Sequence, residues 1–352
     1  MKVLHIPDNI ASQVNTTVKA LRDIGVDARG IVLTYSPMQD HQYIESFSVE
    51  EKNSLQKLLM RIPFTYSILK AMRWADVIHW HFNSRLLPFE LDLRYLASLK
   101  KACVVEFWGS DIRIPEIACQ DNPYIQKMYE MYPEFAVNGR EKSIDTQKRF
   151  AKYGFACLIP DVEMEPYVQK DIFHSFYRSK ARILMSDFIP NFPDSIKKRP
   201  LIIHTPSRKE IKGTKRILEV IEQLKGKYEF DFQLIHNMPR KEMLEWVGKC
   251  DIMIDEIISG AYGLAAIEAM ALGKPVVCYI KPSSLPKYSS SLPLVNANSD
   301  NLVEVLTTLL SSGEKRAQIG KASRAYVEEH HDAHKIAHEL LDLYKNLLGS
   351  SV

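Results

Sequence analysis

The stretch HTPSRKEIKGTKRILEVIEQLK, beginning at His204, gathers Arg208, Lys209, Lys212 and Lys215 around Gly213, between a short apolar run and an amphipathic helical pattern. Cations at the carboxyl end of a strand, followed by a helix start, make a place to hold a diphosphate. The unpaired N–H groups and the positive end of the helix dipole add to the side-chain charge. A solvated basic loop is the plain alternative. A second stretch, DIMIDEIISGAYGLAAIEAMALGKPVVCYI from Asp251, reads strand, glycine turn, short helix, strand. Gly260 and Gly263 let backbone approach a ligand closely. Glu268 stands among Leu264, Ala265, Ala266, Ile267, Ala269 and Met270, and a carboxylate in so apolar a helix needs donors. The vicinal hydroxyls of a ribose would supply them, and so would an Arg or Lys of the protein itself.

In the first half, VIHWHF (77–82) and VVEFWGSDIR (104–113) end apolar runs in polar tips. Asp111 and Arg113 follow Gly109 at a strand end, where side chains reach ligands. Asp111 is the candidate general base, and His81 the imidazole candidate, against the plainer reading of a structural histidine. Between Lys52 and Arg73 the chain carries Lys52, Lys57, Arg61, Lys70 and Arg73, no acid, and interleaved leucines and isoleucines. Such a surface can dock peripherally on an anionic membrane, or simply be two short packed helices broken at Pro63. His330, His331, His334 and His338 cluster near the end; His334 and His338 share a helical face, but without HExxH the segment reads as a helix end, and no metal is expected.

The elements that must position these groups alternate from the first residue, apolar run then helical pattern, which predicts an α/β fold with parallel sheets under helices. Strands are expected at 2–6, 28–33, 76–82, 103–107 and 155–159, then at 201–204, 230–236, 251–255 and 275–280. Val14, Val18, Leu21 and Ile24 mark the first helix, ended by Gly25. Between Arg182 and Pro200 three prolines and a basic cluster read as a linker. The expected domains are 1–190 and 191–330, both Rossmann-like, with a final helix at 331–352 packing back toward the first.

With 352 residues the chain suits two domains of roughly 150 residues each. Its 46 Lys+Arg against 43 Asp+Glu leave +3, too little for a nucleic-acid binder, so any bound polyanion is small. Five scattered cysteines without a CxxC pair indicate neither disulfides nor a thiolate metal site and fit reducing cytosol. The opening MKVLHI is strand-like, and there is no run of about 18 apolar residues. The expected location is cytoplasmic, with peripheral contact at the inner face of the membrane.

The segments Ser207-Arg208 to Lys212-Gly213-Thr214 and GLAAIEAMALGKPVV (263–277) resemble the nucleotide-sugar-binding domain of the GT-B glycosyltransferases, in particular the family 4-like, group 1 retaining enzymes. The resemblance is strong over 200–280 and looser elsewhere. It implies two Rossmann-like domains whose parallel sheets face across a cleft, and sugar transfer from a nucleoside diphosphate sugar with retention, without a metal or other cofactor. It assigns the donor diphosphate to Arg208 and Lys212 beside Gly213, the ribose to Glu268, and the rest of the nucleotide-sugar site to the turn Gly260, Tyr262, Gly263 and Leu264. It implies a glycan or lipid-linked acceptor on the first domain and a role in cell-surface polysaccharide or glycoconjugate biosynthesis. The chain departs from the family at Gly260, where relatives carry a glutamate that touches the donor sugar; Asp255-Glu256 lies just upstream. Trp108 replaces a common histidine, and the loop PDNIASQ lacks the usual glycine pair and any GxGxxG. A non-catalytic GT-B-like binding or assembly subunit and a GT-B-fold sugar-nucleotide epimerase are the rival expectations.

Overall fold

The computed structural model describes residues 1–49, 54–136 and 139–349. In chain order the strands are β1 (Lys2–Ile6), β2 (Asp27–Tyr35), β3 (Glu45–Val49), β4 (Val77–His81), β5 (Ala102–Glu106), β6 (Ala156–Ile159), β7 (Phe176–Arg178), β8 (Leu201–His204), β9 (Asp231–Leu234), β10 (Ile252–Ile254), β11 (Val276–Cys278) and β12 (Val295–Asn296). The helices are α1 (Gln13–Asp23), α2 (Ser54–Trp74), α3 (Leu91–Ser98), α4 (Pro115–Ala118), α5 (Pro123–Met131), α6 (Arg140–Ala151), α7 (Lys209–Lys212), α8 (Thr214–Lys225), α9 (Arg240–Lys249), α10 (Leu264–Ala271), α11 (Leu302–Ser311), α12 (Gly313–His330) and α13 (Ala333–Gly349).

The chain divides into two units: Met1–Ile114 with Asn138–Leu184 and Ala333–Val352, and Pro115–Val137 with Met185–Asp332. Each holds one parallel sheet, ordered β3-β2-β1-β4-β5-β6-β7 in the first and β12-β11-β10-β8-β9 in the second. The central strands β4, β5 and β6 are buried along their whole length, which is why they read as continuous apolar runs: a parallel sheet is covered on both faces. The strands that the sequence pattern misses, β3, β7 and β12, are the sheet edges, where an ESFSV or a three-residue FYR suffices because one side meets no further strand.

Helix α1 buries Val14, Val18 and Leu21 and ends where expected. Gly25 takes φ +84°, and the Val26 N–H reaches back to the Leu21 carbonyl at 2.9 Å. Two boundaries differ from the sequence expectation. The first unit is not continuous, because residues 115–137 leave it for the second, where the Asn122 amide donates to the carbonyls of Ile258 (2.9 Å) and Ser259 (3.1 Å). The proline-rich linker also joins the second unit, with the Asn191 N–H on the Leu272 carbonyl. Helix α13 lies in the first unit, packed on α1 through the core that includes Ile336, Leu340 and Leu343.

Pro63 does not break the basic stretch; α2 runs through it. Proline removes one helical hydrogen bond and crowds the preceding turn. Here the helix is held from the other side by the buried Phe64, Ile68 and Met72. Lys52 of the same stretch lies outside the described residues.

Candidate functional site

In the second unit the chain leaves β8 toward β9 on one side of the sheet and returns to β10 on the other. The loops after β8 and β10 therefore part at this point, which is the crevice where open parallel sheets bind ligands. Both sequence-predicted segments lie here. Beneath them His204 is buried, its Nδ1 at 2.8 Å from the Ile254 carbonyl and its Nε2 at 2.9 Å from the Thr214 hydroxyl. A carbonyl only accepts, so Nδ1 carries the proton and Nε2 accepts from Thr214. Burial lowers this imidazole to about 4, so it is a neutral tie joining the two strands to α8.

The loop after β8 folds in a way the sequence does not reveal. A single helical turn, α7, precedes Gly213, and Lys212 is its last residue. Gly213 takes φ +75°, and a Cβ there would meet the Ile257 side chain at 2.5 Å, so only glycine fits. Lys212 then points inward: Nζ lies 2.7 Å from Asp255 Oδ1 and 2.8 Å from Glu256 Oε2. Burial works against the ammonium, but the two carboxylates outweigh it and hold its pKa above the usual range. The expectation of a Lys212 free to neutralise a diphosphate is corrected, because its charge is already matched twice over. Arg208 instead is exposed, with its guanidinium 5.8 Å from the Phe135 ring centre.

Glu268 is buried on α10 as predicted, and its donor is Arg240 from the start of α9, whose Nε and Nη2 lie 2.9 and 2.6 Å from Glu268 Oε1. Of the two partners that the sequence left open, the protein's own arginine is present. Gly260 takes φ +89°, and a Cβ would come within 2.9 Å of Lys281 Cβ and 3.0 Å of the Asn122 amide. The family's glutamate is therefore excluded by conformation and by space. Tyr262 anchors the turn, its hydroxyl 3.1 Å from His331 Nε2 and 3.3 Å from the Tyr326 hydroxyl. Gly263 and Leu264 open α10, whose first N–H groups have no partner within the helix.

A cavity of about 300 Å³ also lies in this unit, between α5 and α7–α8, lined by Tyr124, Met128, Lys209 and Arg216 among others. Gly213 and Ile258 of the two crevice loops also line it, whereas Lys212, Gly260 and Glu268 do not.

In the first unit the corresponding switch falls between β1 and β4. His81 does not reach the rim. It lies fully buried with His5 and His79, its Nε2 at 2.9 Å from His5 Nδ1 and its Nδ1 at 3.3 Å from Glu106 Oε2. Arg182 clamps the same carboxylate at 3.0 and 2.7 Å. Burial opposes ionisation of Glu106, yet Arg182 and His79 bring it down to about 2. Burial, reinforced for His5 and His81 by neighbouring imidazoles and Arg182, keeps all three histidines below their ordinary values. Among the described residues this is the group whose ligand atoms lie close enough together for one metal ion, and the C-terminal histidines do not form such a group. His334 pairs with Asp23 at 2.9 Å, and His331 serves Tyr262.

Asp111 is likewise corrected. Its carboxylate accepts the N–H groups of Trp108 (3.1 and 3.0 Å) and Gly109 (2.8 Å), so it caps the turn after β5. Burial raises it to about 6 against those same hydrogen bonds. Arg113 pairs with Glu163 at 2.8 Å. Sequence reasoning passed over Asp8, in the loop after β1, whose carboxyl burial pushes up to about 6. Its signal was present all along: an acid two residues past an apolar strand.

Residues 227–326 match the family model described as glycosyl transferases group 1. No curated protein sequence matches the chain. Among solved structures, sucrose-phosphate synthase from Thermosynechococcus elongatus is similar over 99% of this chain and all of its own, at 12% identity and a TM-score of 0.63. HepE from Anabaena in complex with UDP is similar over 98% and 100%, at 14% identity and 0.61. WaaG, a glycosyltransferase involved in lipopolysaccharide biosynthesis, is similar over 98% and 99%, at 13% identity and 0.57. At these identities the structures speak for the fold, and the group 1 match speaks for the enzyme class. The chain is a glycosyltransferase with the GT-B fold.

Proposed function

We propose that the chain transfers a sugar, with retention of anomeric configuration, from a nucleoside diphosphate sugar bound at the switch point of the second unit to a glycan or lipid-linked acceptor bound by the first. The observation that carries this reading is the meeting of the Arg208–Gly213 loop with the loop after β10, through Lys212 on Asp255 and Glu256, beside and within the segment that matches the group 1 family. The diphosphate is met by Arg208 and by the N–H groups that open α10, without a metal ion. Asp255, whose Oδ2 has no hydrogen-bond partner, and Glu256 take the place of the missing family glutamate and accept from the donor-sugar hydroxyls. Glu268, oriented by Arg240, accepts from the ribose.

Complexes of HepE hold UDP and UDP-glucose, which makes these the first ligands to try. Calorimetry with UDP is expected to detect binding. Arg208→Ala is expected to weaken it by about 10- to 100-fold, a charge-assisted contact of about 1.4–2.7 kcal/mol, with the melting temperature unchanged because the residue is exposed. Equal affinity in both proteins would remove Arg208 from the site.

The acceptor side is read as lying at the inner face of a membrane, in the synthesis of cell-surface polysaccharide or glycoconjugate. Helix α2 supports this. Leu59, Ile62 and Tyr66 are 58%, 71% and 71% exposed and continue into the exposed Lys70 and Arg73 on one helical face. No described helix is long and apolar enough to cross a membrane. A second reading, a subunit that binds a nucleotide sugar without turning it over, is favoured by Gly260. UDP binding without UDP release from any donor offered would select it.

A further inference from the structure

The cavity of about 300 Å³ in the second unit has two unlike sides. One is apolar: α5 presents Tyr124, Met128 and Met131, and Tyr132 follows. Both tyrosine rings are held from behind. Tyr124 packs edge-on against Tyr279, with 5.1 Å between ring centres, and its hydroxyl donates to Asp300 at 2.7 Å. Tyr132 packs edge-on against Phe135 at 6.2 Å. Met128 is buried and Met131 is 67% exposed, so the apolar side runs from the floor to the mouth. Fixed rings beside polarisable thioethers suit an aromatic body.

The other side, α7 and the start of α8, is charged. Arg216 is spent on the Ser299 carbonyl at 3.0 Å and on Glu219 at 3.4 Å. Lys127 of α5, Lys209 of α7 and Lys215 of α8 also line the cavity; all three are exposed, and none forms a hydrogen bond or ion pair among the described residues. Ammonium groups from three helices around one cavity favour an anion there.

We propose that this cavity is a second ligand site, for an anion with an aromatic body: the rings lie against Tyr124, Met128 and Tyr132, and a phosphate-like head meets Lys127, Lys209 and Lys215. The volume is at the small end of ligand pockets, which limits the body to about one or two rings. The site is coupled to Arg208. Phe135, which backs Tyr132, also has the Arg208 guanidinium 5.8 Å from its ring centre, and Gly213 and Ile258 of the crevice loops form part of the wall. The single turn α7, between Arg208 and Gly213, is too short to be stable by itself. A ligand packed on it orders it, and an ordered turn loses less freedom on gripping a diphosphate, so each site favours the other. The cavity site stands apart from the glycosyl-transfer reading; the coupling rests on that reading.

Calorimetry with naphthyl phosphate tests the proposal, beside inorganic phosphate and naphthylmethanol, which separate the head from the rings. Naphthyl phosphate is expected to bind once per chain with a Kd below about 1 mM, and at least about 10-fold more tightly than either fragment. Lys127→Glu combined with Lys215→Glu is expected to weaken it about 10-fold or more at an unchanged melting temperature, since both residues are exposed. Met128→Trp, which fills the cavity, is expected to abolish binding, and where that variant is less stable the lysine pair decides alone. Saturating UDP is expected to tighten naphthyl phosphate about fivefold. Absence of binding, an affinity matched by either fragment, or equal affinity in the lysine variant overturns the site. Competition between UDP and naphthyl phosphate overturns it as well, by placing the probe in the crevice. Equal affinity with and without UDP overturns the coupling. Binding of naphthyl phosphate by a wild type that does not bind UDP upholds the cavity site and counts against the nucleotide-sugar reading.

Discussion

The two sheets switch direction in the same way, between β1 and β4 in one unit and between β8 and β10 in the other, yet the groups that meet across the two switch points differ in kind. In the second unit Lys212 reaches over to Asp255 and Glu256, so the loops are joined by full charges. In the first unit the Asp8 side chain hydrogen-bonds Ser84, and burial raises its carboxyl to about 6. Paired full charges tie one set of loops together, whereas the other pair leaves a carboxylate oxygen without a partner. The same topology thus presents two chemistries, chosen by a few side chains at the strand ends.

The largest test of that contrast is Lys212→Ala. It strands two buried carboxylates and is expected to destabilise the second unit by about 3–5 kcal/mol, read as a lower unfolding midpoint. The sequence alone would have treated Lys212 as a ligand-binding side chain whose removal spares the fold; an unchanged midpoint would restore that view. Next comes Asp111→Asn in the first unit. An amide offers one acceptor oxygen and brings two donors toward the N–H groups of Trp108 and Gly109, at a cost of about 2–3 kcal/mol in stability and with UDP affinity unaltered. Loss of turnover without loss of stability would return Asp111 to the chemistry.

The smallest effect concerns pH. His5, His79 and His81 have folded pKa values below the unfolded value of 6.5, so the unfolded chain takes up more protons and stability falls as pH drops below that point. Asp8 and Asp111, raised to about 6 from 3.8, act in the opposite direction over the same window, since the folded state binds their protons first. Three sites against two in the first unit, with the buried His204 of the second adding to the three, leave stability lower at about pH 5.5 than at about pH 7, measurable by denaturant titration. His79→Gln, which removes one imidazole, should flatten that dependence.

Much of this was legible in the chain. The runs at 77–81, 102–106 and 156–159 are strands because a parallel sheet buried on both faces is mostly apolar, with His79, His81 and Glu106 as buried exceptions that pair with one another or with Arg182. The two segments of the second unit that carry Arg208 and Glu268 come from adjoining loops, so pattern and motif agree there. What escaped the sequence were pairings between residues far apart along the chain. Nothing near His81 announces His5, Glu106 and Arg182, and nothing near Gly260 announces Asn122 from a segment that leaves its own unit.

The sequence by itself determined the two parallel sheets and the glycine-dependent turns, since each depends on local pattern or on short-range geometry. Only the tertiary structure decided which charges there are free. Whether a lysine meets a ligand or a buried carboxylate, and whether an aspartate is spent on backbone N–H groups or keeps an oxygen unpartnered, is set by neighbours that folding brings from tens to hundreds of residues away. The low polarity of the interior then magnifies each such meeting into a role.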